Sequence, residues 1–207
     1  MDEDLRVGAV ILGAGRSQRM GVPKLSLPWG DTTVIEQIVK NLQRSNVSPI
    51  VLVTGGARAE VQRLLSGAGV LFVHNSDYER TEMLESFKIG LREMPAEVSA
   101  CLVVLGDQPQ MKHETVEKLL THYRHDKDDL IVPSFHMKRG HPWLVGRRLW
   151  REIEDLDAHQ TLRDFLNNRS SDIHYIDVNT NSILMDLDTP EDYQSQRPKD
   201  IKGTMPR

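Results

Sequence analysis

The sequence carries one cysteine, Cys101, in 207 residues. An internal disulfide and a multi-cysteine zinc site are therefore excluded. Cys101 lies inside the apolar run ACLVVLG and reads as a small buried hydrophobe of a strand, because a reactive thiolate needs an exposed, electropositive setting. Long hydrophobic runs are missing as well. None approaches the roughly 20 apolar residues that span a bilayer, so no membrane partner is expected. Charge of one sign is not in excess: a net charge of −4 offers no basic surface for nucleic acid, and an anionic substrate must be drawn by local cations. The first residues, MDEDLRVGAV, are acidic where a secretory signal would be basic, so a cytoplasmic protein is expected. Internal repeats, low-complexity tracts and linkers are absent from the sequence.

What is present is an ordinary globular composition, 39% hydrophobic and 27% charged, arranged in alternating blocks. Strand-length apolar runs (VGAVIL, PIVLVTGG, VLFVH, ACLVVLG, DLIVPSF) are separated by helical patterns (TTVIEQIVKNLQRS, ARAEVQRLLSG, TEMLESFKIGLREM, HETVEKLLTHYRH). That alternation predicts an α/β sandwich around a mostly parallel sheet. Runs such as VVLG and VLVT are apolar at successive positions, as strands covered on both faces should be. Thr32 or Thr33 is placed to cap the helix near Val34, and Gly67 and Gly69 to end the helix before Val70. Further on, LDAHQTLRDFLNNR predicts a helix, and IHYIDV and ILMDLD predict short strands. One domain is expected over 1–196, followed by a polar, frayed tail over 197–207.

The most informative stretch runs from Val7 to Pro28, where VGAVIL breaks into the basic loop GAGRSQRMGVPK. Gly13 and Gly15 allow successive N–H groups to approach one anion. Arg16, Arg19 and Lys24 add three cations within a dozen residues, two offering planar forks and one a compact charge. Two other glycine loops are excluded. A dinucleotide fingerprint would need a glycine where Gln18 stands, and a P-loop would need Gly-Lys-Ser/Thr where Pro23-Lys24-Leu25 stands.

In α/β sheets ligands bind outside the carboxyl ends of the strands. Loop residues Leu12, Gly13, Ala14 and Gly15, then Thr54 and Gly55, then Gly106 should therefore converge on one edge. Asp107, just past Gly106, is the best candidate for a Mg²⁺ ligand, since magnesium takes one or two carboxylates together with substrate phosphates. The second carboxylate is Asp188 or Asp186, which share side-chain parity in an extended segment. Alternatively Asp188 caps the helix starting at Thr189-Pro190. His122, His125 and His136 show no metal-binding spacing and read as surface residues.

The order L-G-A-G-R-S-Q-R-M-G-V-P-K-L, followed by LPWGDTTVIEQIV, LGDQP (Leu105 to Pro109), RGHP (Arg139 to Pro142) and DLDTPEDY (Asp186 to Tyr193), resembles the nucleotidyltransferases related to molybdenum cofactor cytidylyltransferase. The resemblance implies a three-layer α/β/α fold of the nucleotide-diphospho-sugar transferase type. It also implies Mg²⁺-dependent transfer of a nucleotidyl group from a triphosphate to an acceptor phosphate, with release of pyrophosphate. Arg16, Lys24 and Asp107 would be catalytic, and the residues of the glycine loop with Arg19 would hold the nucleotide. The donor would be CTP, because guanylyltransferase relatives carry L-A-G-G where this chain has Leu12-Gly13-Ala14-Gly15. The acceptor would be molybdopterin or its molybdenum-bound form, met by Ser86 and His141, with a molybdenum hydroxylase as the eventual partner. His141 reads equally as a loop histidine bonded to backbone. One departure stands out: where relatives read G-M-S-S-S-L, this chain reads Glu82-Met83-Leu84-Glu85-Ser86-Phe87. Two added carboxylates would oppose an anionic acceptor unless they point away or bind a cation. This motivates two alternatives: another phosphorylated small metabolite as acceptor, or a non-catalytic carrier of molybdopterin.

Overall fold

A computed structural model describes residues 5–15 and 20–198. Arg16 and Arg19 lie outside the described residues, as does most of the expected tail. In chain order the elements are β1 (Arg6–Gly13), a 3₁₀ turn (Lys24–Ser26), the small hairpin β2 (Pro28–Trp29) and β3 (Thr32–Thr33), then α1 (Val34–Arg44), β4 (Ile50–Thr54), α2 (Arg58–Leu64), β5 (Val70–His74) and α3 (Met83–Arg92). They continue with β6 (Val98–Leu105), α4 (His113–Asp126), β7 (Leu130–Phe135), β8 (Lys138–Arg139), β9 (Trp143–Gly146), α5 (Trp150–Glu154), α6 (Leu162–Asn168), β10 (His174–Asp177) and α7 (Pro190–Gln196).

The main sheet runs β10-β7-β9-β6-β1-β4-β5, with β8 paired to β7. Its pairs are parallel except where β9 enters between β6 and β7, and where β8 folds back on β7. The sheet is mixed and mostly parallel, as the alternating blocks predict. Successive residues of β1 serve opposite faces: Ile11 joins a cluster with Ile35, Ile38 and Leu119 beneath α1 and α4. Val10 joins Phe87, Val103 and Phe165 beneath α3 and α6. Two covered faces explain the unbroken apolar runs, and each fully buried side chain of this size contributes about 1.5–3 kcal/mol.

Local chemistry sets the helix ends. Thr33, Thr161 and Thr189 each accept from the backbone N–H three residues on, while Glu36, Asp164 and Asp192 reach back to the N–H of the capping threonine. Two sequence expectations are corrected by this chemistry. The helix expected over LDAHQTLRDFLNNR begins only at Leu162, because the Thr161–Asp164 box satisfies the helix start there. ILMDLD is not a strand: Asn181–Leu184 forms a 3₁₀ turn capped by Thr180, and Ile183, fully buried, fills the space beside Gly140.

Candidate active site

The carboxyl ends of β1 and β6 open on a cleft of about 590 Å³ whose walls include Leu12, Ala14, Gly15, Leu105 and Asp107. The two strands meet tightly at its floor. The Gly106 N–H donates to the Leu12 carbonyl at 3.1 Å, and a Cβ on Gly106 would fall 2.8 Å from that same oxygen. Only glycine fits this crossing, and the next residue, Asp107, is thereby aimed into the cleft.

The second group of carboxylates arrives from the far end of the chain. The Leu187 N–H donates to the Asp107 carbonyl at 3.0 Å, and the Leu187 side chain is fully buried in the core. Because the segment is extended there, burying Leu187 turns both flanking residues, Asp186 and Asp188, onto the cleft wall. Gln108 donates to the Asp186 carboxylate at 2.6 Å, and Gln110 donates to the Met185 carbonyl. Asp188 is not the cap of α7, since Thr189 takes that role.

Lys24 lies between the acids. Its Nζ is 3.0 Å from Asp188 Oδ1 and 3.5 Å from Asp107 Oδ2, and the side chain is 14% exposed. Burial pushes the Asp107 carboxyl above its usual range. The Lys24 ammonium opposes that shift, and the neighbouring Asp186 and Asp188 charges reinforce it. A pair of hard oxygen donors already sharing one positive charge fits a divalent cation such as magnesium.

The remaining predicted residues separate into those on the cleft and those behind it. Ser86 is on the wall and accepts from Asn75 Nδ2 at 3.1 Å. Gly13 ends β1 behind the wall. Thr54 is buried with its hydroxyl donating to the Val73 carbonyl, and Gly55 is covered by the Tyr78 ring and the Ala14 carbonyl. Tyr78 and Thr81, which no motif marks, stand on the wall in their place. They follow β5, so the strand-end rule applied to that strand would have found them.

His141 is not on this wall. Its ring stacks on Trp143 with centroids 4.3 Å apart, and its Nδ1 is shut off from solvent with no hydrogen-bond partner among the described residues. Burial pushes its pKa down to about 4, against a smaller opposing effect of the Val103 backbone. A neutral imidazole in this setting supplies no cation for a phosphate. Of the two unexpected carboxylates, Glu82 is on the cleft wall, whereas Glu85 stands 3.8 Å from Arg92 along α3 and does not line it. Leu84 is core. A last correction concerns His122, expected at the surface: its side chain is only 14% exposed, with a carboxylate at each ring nitrogen.

A doubly covered, mostly parallel sheet with a carboxylate–lysine cluster and a glycine loop at its strand ends defines a nucleotidyltransferase. The chain belongs to the MobA-like NTP transferase domain family, which it matches over residues 9–173. It is 28% identical over 188 residues to the molybdenum cofactor cytidylyltransferase of Escherichia coli K12, covering 90% of this chain and 93% of that one. Among solved structures, a nucleotidyl transferase from Methanothermobacter superposes with a TM-score of 0.78 at 25% identity, covering 93% of this chain and 96% of the other. Rv0371c of Mycobacterium tuberculosis H37Rv shares the fold with a TM-score of 0.82 at 24% identity over 92% and 96% of the two chains. Its complex with manganese superposes with a TM-score of 0.78 at 23% identity over 92% and 97%. Among the described residues, no helix is long and apolar enough to cross a membrane.

Proposed function

We propose that this nucleotidyltransferase moves CMP from CTP to the phosphate of a molybdopterin-type acceptor in the cytoplasm, releasing pyrophosphate. The observation that carries the reading is the convergence of Lys24, Asp107 and Asp188 beside Ala14 and Gly15. An acceptor phosphate oxygen attacks the α-phosphorus as the bond to the departing pyrophosphate breaks. An ionised phosphate is already a nucleophile, so the site requires no general base. Lys24, with Arg16 and Arg19 of the same loop, offsets the negative charge that grows on the transferring and leaving groups. Asp107 and Asp188 would hold Mg²⁺, which supplies Lewis-acid stabilisation of phosphate oxygens. Asp186, tied to Gln108, serves as an outer carboxylate. Ala14 on the cleft wall supports CTP over GTP. A molybdenum hydroxylase would receive the product, and residues 1–196 would act as one domain.

Glu82 on the same wall favours one competing reading, an acceptor other than molybdopterin whose non-phosphate portion offers donors to a carboxylate. Pyrophosphate release in magnesium with CTP, GTP, ATP and UTP, with and without molybdopterin, separates the two. Release that requires both CTP and molybdopterin is expected. Faster turnover of GTP overturns the donor assignment, and silence with molybdopterin alongside turnover of another phosphorylated metabolite overturns the acceptor.

A further inference from the structure

At the opposite end of the sheet from the cleft, where β7 and β10 begin, three donors from three chain segments converge. His122 comes from the last turns of α4, Asp128 from the connection into β7, and His174 from the first residue of the edge strand β10. His122 Nε2 is 2.7 Å from Asp128 Oδ2, and His174 Nδ1 is 3.2 Å from the same oxygen. The two imidazoles stack with centroids 3.7 Å apart, and all three donor atoms lie within 4.8 Å of one another. A tetrahedral ion with ligand bonds of about 2.0–2.1 Å holds its donors roughly 3.3 Å apart; the His174–Asp128 contact already has that spacing, and the His122–Asp128 contact would open by about half an ångström to admit the ion.

We propose that His122, Asp128 and His174 form a binding site for a divalent transition metal of the zinc type, separate from the nucleotide cleft. Two nitrogens and one carboxylate oxygen are a borderline-soft set that suits zinc and its neighbours better than magnesium. The outer contacts are those of a metal-bound histidine. Asp126 Oδ2 lies 3.1 Å from His122 Nδ1, so accepting that N–H turns the Nε2 lone pair towards Asp128. A proton on Nε2 bridges this 2.7 Å contact as a hydrogen bond, and a metal ion seated between the imidazoles and Asp128 would take the place of that proton for both histidines at once. The backbone makes this possible. Lys127 ends α4 in the left-handed region, with φ of 57°, and this turn brings Asp126 and Asp128 to opposite nitrogens of one ring. Asp128 and His174 are 41% and 44% exposed, so solvent reaches the site and water can take the fourth position. The bound ion clamps β10, which has four residues and a single neighbouring strand, to the end of α4.

The test uses the full chain, stripped by chelator and dialysed against Zn²⁺ in excess Mg²⁺, added to compete for the cleft carboxylates. One tightly held zinc per chain is expected, with a rise in thermal midpoint. The His174→Ala variant should lose that zinc and that rise while nucleotidyl transfer in Mg²⁺ is unchanged. Asp126→Asn removes no ligand and changes an exposed side chain, yet should weaken zinc binding about 10- to 100-fold. Co²⁺ in place of zinc should give visible absorption that His174→Ala abolishes. Failure of the wild-type chain to retain zinc, or equal retention by His174→Ala and Asp126→Asn, overturns the site.

Discussion

His141 provides a quantitative test of how the core meets the cleft. In the unfolded chain its imidazole titrates near 6.5, whereas burial holds it down to about 4 in the folded protein. Below the unfolded value the unfolded state therefore binds the extra proton. Stability that is complete above pH 6.5 is lost as pH falls, and the loss levels off near pH 4. At about 1.36 kcal/mol per pKa unit, the histidine alone removes about 2 kcal/mol between pH 7 and pH 5. The variant His141→Gln keeps a donor at the position and cannot titrate. Urea denaturation of both proteins at the two pH values reads the effect, and other histidines cancel in the comparison. The variant should lose about 2 kcal/mol less than wild type on acidification, whatever its stability at neutral pH. Equal losses would refute a buried neutral His141. The same variant should leave the KM for an acceptor phosphate unchanged, because the ring does not line the cleft.

Three further outcomes follow from the geometry. Asp107→Ala should lower turnover by at least about a hundredfold, the scale of removing one preorganised charge-stabilising group, while sparing metal-free nucleotide binding; full activity in a pyrophosphate assay removes the metal assignment. Gly106→Ala should destabilise the protein by about 1–3 kcal/mol in urea, because the nearest atom to its Cβ would be the Leu12 carbonyl oxygen, backbone that cannot swing aside, with Leu25 Cδ2 crowding it next. Cys101 is fully buried and burial pushes its thiol pKa up, so a thiol-specific reagent should react only at the rate of unfolding, and rapid native labelling contradicts its position in β6.

Most of this architecture was legible because local and global signals agree. Apolar runs without alternation specify strands covered on both faces, and the strand-end rule gathers Leu12, Ala14, Gly15 and Asp107 onto one cleft. The parity of Asp186 and Asp188 also carried through, since it depends only on an extended backbone, with Leu187 between them as the buried anchor. Where a residue's surroundings differ from what its local sequence suggests, the cause is a contact distant along the chain. Ile183 looks like a strand residue until Gly140 makes room for it, and Thr54 looks like a loop residue until its hydroxyl finds Val73. His122 has a carboxylate four residues on, but its partnership with His174 requires β10 to dock beside β7. His141 carries a motif, RGHP, yet packing on Trp143 places it behind the cleft.

Lys24 and Asp188 are 164 residues apart, and Asp188 reaches its place only after Leu187 has docked on the end of β6. During synthesis the glycine loop and Asp107 emerge long before their partner does. A growing chain still on the ribosome therefore has a charge imbalance where the finished enzyme has a paired site. With Asp188 in the role proposed for it, nucleotide chemistry waits until the segment around Leu187 has been made, and a chain interrupted before that segment should stay inert towards the cell's triphosphates.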